Sequence, residues 1–344
     1  MSEEKRIASL CYLRITVTLG VIMLHVCSTL LNNPLLVPSG LTEAEARFHQ
    51  GAIRLLTWCV PCFLMISGSL LLREDRRVTV RDSVFKYARR VLLALLVFGI
   101  PFALMMDIHD ARGFSPAMLP DALLRVATNG SLAHLWYLYV ILGIYLLLPA
   151  IKAVTDHCAQ PCLDYLLLVL FLFNFILTTV ARLTGLEIAF TLPVTSCFLF
   201  YFILGHRLTR CAPGRTRSTP ALLAGIAACA GVIIAANVTG FADPDVIADY
   251  ASPVTALLSA CIFCLFRKID RAASGPVWTL DRLCFGVYLI HPLLIHLLYR
   301  ALGVVPAGAL YPLGTLAVTG LVAAAAYALS WVLMKIPPLR KYVL

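Results

Sequence analysis

Long apolar runs, broken by short clusters of charged, glycine and proline residues, occupy the chain from end to end. A helix needs roughly 17–25 mostly apolar residues to cross a bilayer. Ten such runs are expected, over 9–31, 51–72, 91–107, 134–152, 163–181, 188–206, 219–238, 253–266, 278–299 and 312–334. The eighth is short, and the ninth opens on Asp281 and Arg282. Apolar residues are continuous within the runs, whereas the strands of a transmembrane barrel alternate. Lipid then leaves only the helix bundle. The expectation is an all-α polytopic membrane protein with about ten transmembrane helices, forming a single integral-membrane domain over 1–344. The longest gap between runs, 108–133, is too short for a separate soluble domain.

Composition agrees with this pattern. Of 344 residues 60% are hydrophobic and 13% charged, against about 25% charged in soluble domains. Soluble enzymes, disordered chains and disulfide scaffolds are thereby set aside. Most of the 12 cysteines stand inside apolar runs, where they act as small hydrophobes. Cys59-Val-Pro-Cys62 and Cys261-Ile-Phe-Cys264 lack the surroundings of a redox or zinc motif. His157, Cys158 and Cys162 would need a fourth metal ligand, and no metal site is assigned. Asn129-Gly-Ser131 and Asn237-Val-Thr239 match a glycosylation pattern that is common by chance. The Ala-rich stretch at 323–326 is read as close helix packing.

The net charge of +10 points to cytoplasmic loops rather than to nucleic acid, because the basic residues sort by loop. Most of them fall at the N-terminus (Lys5, Arg6), in the second loop (Arg73, Arg76, Arg77, Arg81, Lys86, Arg89, Arg90), at Lys152, at Arg207–Arg217, at Arg267–Arg271 and in the tail. The alternate loops mix Arg47, Arg54, Arg112 and Arg182 with acids. Ten spans with both termini cytoplasmic satisfy this sorting. The first run follows Lys5 and Arg6 as a signal peptide would, yet it is long, holds Arg14 and His25 and lacks a small-residue cleavage site, so a retained span is expected.

Ionisable residues inside a membrane are costly and are functional candidates by default. Arg14 and His25 are eleven residues apart, or about 20° past three helical turns, so they share one face about 16 Å apart along the axis. A snorkelling arginine and a packing histidine explain either alone. Two desolvation penalties on one stripe favour function.

The Arg-x10-His spacing resembles the first-helix motif of the membrane acyltransferase-3 family, bacterial enzymes that acylate envelope and exported glycans. Pro61-Cys-Phe-Leu-Met-Ile-Ser67-Gly68 is similar to that family's second-helix motif. Lys86, Arg89 and Arg90 resemble its basic cluster, His134-Leu-Trp136-Tyr137-Leu138 its LWYL segment, and Tyr288-Leu-Ile-His291-Pro292 a late segment. Cys11 stands where family members commonly carry an Asp three residues before the arginine, which leaves open how Arg14 is held.

The resemblance implies an O-acyltransferase of the bacterial inner (cytoplasmic) membrane. Its donor would be a cytosolic acyl-coenzyme A, usually acetyl-coenzyme A, with no tightly bound cofactor. The acceptor would be a hydroxyl of a saccharide or lipid-linked glycan, and the remaining partner membrane lipid. Acyl transfer needs a base and positive charge for the oxyanion and thiolate. His25 is the candidate base, with a covalent acyl-histidine as the other route, and Arg14 would steer the donor or stabilise its charge. Arg89, Arg90 and Lys86 are candidate phosphate ligands, although positive-inside topology explains most of the basic patch. His134, Trp136, Tyr137, Tyr288 and His291 are candidate acceptor or cavity-lining residues; Trp136 also suits an interfacial anchor and His291 a structural hydrogen bond.

The alternative is a secondary transporter or exporter of a glycan or small polar solute, since ten spans divide into two inverted halves of five. Such proteins break corresponding helices in both halves. Gly20 in the first run does not pair convincingly with Pro193 and Gly205 in the sixth. A membrane sensor without chemistry is a third reading, against which the Arg14 and His25 pair argues.

Overall fold

The computed structural model describes residues 3–33, 36–37, 40–111, 115–128, 133–187, 196–210 and 218–344. Outside the described residues lie Arg112, the Asn129–Ser131 motif, Pro193, Arg215 and Arg217, and nothing is described of the side chains of Lys5 and Arg6. The protein is helical, with no strand among the described residues.

Among the described residues, eight helices are long and apolar enough to cross a membrane. These are α1 (Glu3–Leu31), the broken pair α2 (Glu43–Leu55) and α3 (Cys59–Leu71), and α4 (Val80–Met105, its helix running on to Ala111). After the short α5 (Met118–Ala127) come α6 (Trp136–His157) and α7 (Gln160–Thr184). Two shorter apolar helices, α8 (Cys197–Arg210) and α10 (Pro253–Phe266), flank α9 (Thr219–Thr239). The expected sixth run corresponds to α8, and its first part, 188–195, lies outside the described residues. The series ends with α11 (Gly275–Ala301), α12 (Tyr311–Leu333) and a last turn, α13 (Pro337–Tyr342).

Several helices outrun their apolar runs. The second begins at Glu43, eight residues before its run, because Thr42 and Glu45 close a reciprocal capping box on a polar first turn. Thr79 and Asp82 form another at the start of α4, so Arg81, Lys86, Arg89 and Arg90 are helical rather than in a loop. Hydropathy reads the hydrocarbon thickness, whereas caps set where the backbone begins to wind.

Cross-helix contacts fix the directions. Arg14 of α1 meets Asp281 of α11, and farther along both helices His25 meets His291, so the two run parallel. Helix α6 runs the other way, from Trp136 beside the His25 cavity to Tyr145 in the cavity of Arg14. Helices α3 and α8 approach closely at two glycines: a Cβ on Gly68 would overlap the Phe202 carbonyl, and one on Gly205 the backbone of Met65. Small residues permit this kind of crossing where lipid gives helices no hydrophobic drive to associate.

Candidate active site

The site is built where α1 and α11 lie side by side. On α1 the inward positions are Cys11, Arg14, Thr18, Val21 and His25; on α11 they are Asp281, Cys284, Tyr288 and His291, each series at three- or four-residue spacing. Because the helices are parallel, like ends meet. Arg14 Nη1 donates to Asp281 Oδ1 at 2.6 Å, Thr18 hydrogen-bonds Cys284, and Tyr299 donates to the Val26 carbonyl at 2.9 Å.

A cavity of about 600 Å³ opens around the arginine end. Arg14, Arg76, Arg90 and Arg282 face it together with Asp281, giving four guanidinium groups against one carboxylate. Tyr87, Tyr145, Phe285 and Ser67 also contribute to its polar and aromatic wall. Arg76 donates to the Tyr87 hydroxyl at 2.8 Å, while Arg90 donates to the Val343 carbonyl at 3.0 Å and lies 5.5 Å from the Phe285 ring centroid. Arg90 follows a π-helical turn at Ser83–Ala88, where the Arg89 amide reaches back five residues to the Val84 carbonyl and shifts the phase of the helix.

A second cavity, about 50 Å³, borders His25. Trp136, Tyr250, His134, Val21, Leu24 and Val60 contribute to its wall, and no charged residue does among the described residues. Phe63, Tyr137 and Tyr288 line both cavities and form a waist between them, with ring centroids 6.1 Å (Phe63 to Tyr137) and 5.9 Å (Tyr137 to Tyr288) apart. Ser67, from the second-helix motif, hydrogen-bonds Tyr137 at this waist.

Three imidazoles converge at the inner edge of the small cavity. His25 lies 5.2 Å from His291 and 6.1 Å from His134, which are 5.7 Å from each other. His291 Nδ1 donates to the Val287 carbonyl at 3.1 Å and also lies against the backbone of Tyr288. Pro292, inside the helix, offers no N–H to the Tyr288 carbonyl, so the neighbouring ring is well placed to serve it. The Nε2 atoms of His291 and His134 are buried without a hydrogen-bond partner. The Tyr288 hydroxyl donates to the His134 carbonyl and ties α11 to the entry of α6. No group of three or more His, Cys, Asp or Glu side chains has the geometry of a metal site among the described residues.

A model of the acyltransferase-3 family, described as an acyltransferase domain, matches residues 7–335. The chain belongs to the acyltransferase-3 family. It is therefore a membrane acyltransferase, with the multi-pass helices such a protein requires. No curated protein and no solved structure matches the chain.

Within this family framework the sequence-derived residues divide. Arg14, Arg90, Tyr137 and Tyr288 line the large cavity, and His25, His134, Trp136, Tyr137 and Tyr288 the small one. His291 stands behind His25 against its ring. Arg89 and Lys86 are exposed and outside both linings; Arg89 lies over the Tyr342 ring at 5.4 Å, and Lys86 lies 5.6 Å from the Tyr87 ring. Trp136 does more than anchor a helix end, since its ring packs on Tyr250 and Phe198 at 5.3 and 5.5 Å beside His25.

Sequence reasoning passed over Asp281, Arg282, Arg76 and Tyr250 as site residues. The first two stand as charges in an apolar run, where a charge marks a functional candidate. Arg76 was one of many basic residues in its loop. Tyr250 precedes α10 in a non-helical stretch, where no periodic signal exists.

Proposed function

We propose that the protein is an inner-membrane O-acyltransferase that moves an acyl group, acetyl in the simplest case, from acyl-coenzyme A to a hydroxyl of an envelope or exported saccharide. The observation that carries this reading is the pair of adjoining cavities. One is wide and rich in guanidinium groups, the other is small, uncharged and centred on an imidazole, and they share three aromatic rings. Arginine is suited to paired contacts with phosphate oxygens, so the wide cavity fits the nucleotide end of the donor. It opens at the end of the bundle that carries the basic loops, which the positive-inside rule assigns to the cytoplasm. Arg14, about 16 Å along the axis from His25, acts on the donor rather than on the reacting carbonyl.

In this scheme the donor's thin thioester arm passes the waist and brings its carbonyl to His25. The acceptor enters past Trp136 and Tyr250, whose ring faces suit the apolar face of a sugar. His25 takes the proton as the hydroxyl oxygen attacks the thioester carbon. The C–S bond then breaks, the thiolate recovers the proton from the imidazolium, and an ester and free coenzyme A leave.

Thiol release from acetyl-coenzyme A by the purified protein tests the reading. His25→Ala is expected to lower turnover by about 10² to 10⁴-fold, the usual contribution of a general base, with unchanged elution on size exclusion. Full turnover in that variant removes His25 from the mechanism. Flux of a saccharide across vesicles without thioester consumption would assign the protein to transport instead.

A further inference from the structure

Arg14 is the one functional candidate whose expected holder is missing from its own helix, and the structure supplies another. Asp281, only 10% exposed at its side chain, comes from the far end of the sequence to accept from Arg14 Nη1 at 2.6 Å. Cys11, buried one turn before Arg14, hydrogen-bonds through its thiol to the same carboxylate. Positions 11 and 14 are neighbours on one helix face, so Cys11, Arg14 and Asp281 meet at one point of the cavity wall.

We infer that Asp281 is the positioning residue for Arg14: it holds the guanidinium at the cavity wall and does the work that a carboxylate at position 11 would otherwise do. The inference rests on the proposed role of Arg14 toward the donor. An arginine has five N–H donors in a rigid fork, so fixing one edge on a carboxylate orients the others. Removing one partner of a largely buried pair leaves the other charge uncompensated. The Thr18 and Cys284 contact and the ring contact of His25 with His291 continue the same seam. The pair therefore also registers the arginine end of α1 on α11.

The test moves the carboxylate across the interface. Asp281→Asn is expected to raise the donor KM about tenfold while leaving the acceptor KM within about twofold. Adding Cys11→Asp in that background should bring the donor KM back to within about threefold of wild type. A donor KM that falls in Asp281→Asn would make Asp281 a competitor of the donor phosphates and overturn the proposal. So would a raised KM that Cys11→Asp does not restore in protein that elutes as wild type. Thermal unfolding without substrate gives a readout independent of chemistry. Arg14→Gln and Asp281→Asn should each lower the midpoint, the double variant no further than the worse single, and Cys11→Asp should recover the Asp281→Asn loss. Additive losses sink the pairing. If wild type consumes no thioester while this coupling holds, the proposed reaction fails and the pairing stands.

Discussion

The two cavities share walls on α1, α3, α6 and α11, yet they differ in size and in charge. The arginine end is wide and strongly positive. The histidine end is about 50 Å³, uncharged and walled by rings. A polyanion gains from the first and would lose its hydration without compensation in the second. An imidazole flooded by guanidinium charge would be a poor proton acceptor, so about 16 Å of helix between Arg14 and His25 suits the proposed role of His25. The lesson is separation: one stripe of α1 serves a cavity rich in guanidinium groups and a small one without them, spaced three turns apart.

The largest expected effect removes both ends together. Gly68→Val places a side chain in the Phe202 carbonyl, and α3 carries both Phe63 and Ser67. Folded, monodisperse protein should be lost in detergent extracts. Gly143→Ala is the control, since a Cβ there meets nothing within 4 Å. Normal yield of Gly68→Val would mean that the α3 and α8 crossing does not hold the waist.

The next effects should separate the cavities. Arg90→Gln removes a guanidinium from the wide one and should raise the donor KM about tenfold, the loss expected for a charged hydrogen bond. Trp136→Ala should instead raise the acceptor KM by a comparable factor of about ten through lost ring contact. Each is expected to leave the other substrate's KM within about twofold. Crossed effects, with Trp136→Ala weakening the donor, would show that the small cavity holds the thioester end rather than the acceptor.

That division was partly legible in the chain. Apolar run length revealed the helices, since a bilayer enforces it, and the spacing of Arg14 and His25 placed them on one inward stripe. What could not be read was partnership between helices: Asp281 stands 267 residues from Arg14, and no local pattern announces that α1 and α11 run side by side. The basic cluster divides for a different reason. Lys86, Arg89 and Arg90 are adjacent in sequence, but a π turn and 100° per residue direct only Arg90 into the cavity. Composition counts charges, while helical phase decides which of them a ligand meets.

A smaller, graded effect should come from salt. Raising ionic strength from about 0.01 to 0.15 M shortens the screening length from about 30 to 8 Å. The donor KM should then rise severalfold while the acceptor KM stays flat, because no charge lines the histidine cavity. Equal sensitivity of both would mean that the acceptor is itself charged and is read by the arginine end.

The smallest effect sharpens the boundary of the wide cavity. Lys86→Gln and Arg89→Gln should each change the donor KM by less than about twofold, because neither lines the cavity and exposed charges away from a ligand contribute little once salt screens them. Arg89 is expected to matter to vesicle binding instead: the patch it shares with Arg77 and Arg81 faces the headgroup region, where each basic residue adds about 1 kcal/mol of attraction to anionic lipid. Donor KM values at 0.15 M salt for Arg89→Gln and Arg90→Gln, measured side by side, decide it. If the two neighbours lose donor affinity equally, the nucleotide lies across the outside of α4, and the cavity is the passage for its arm alone.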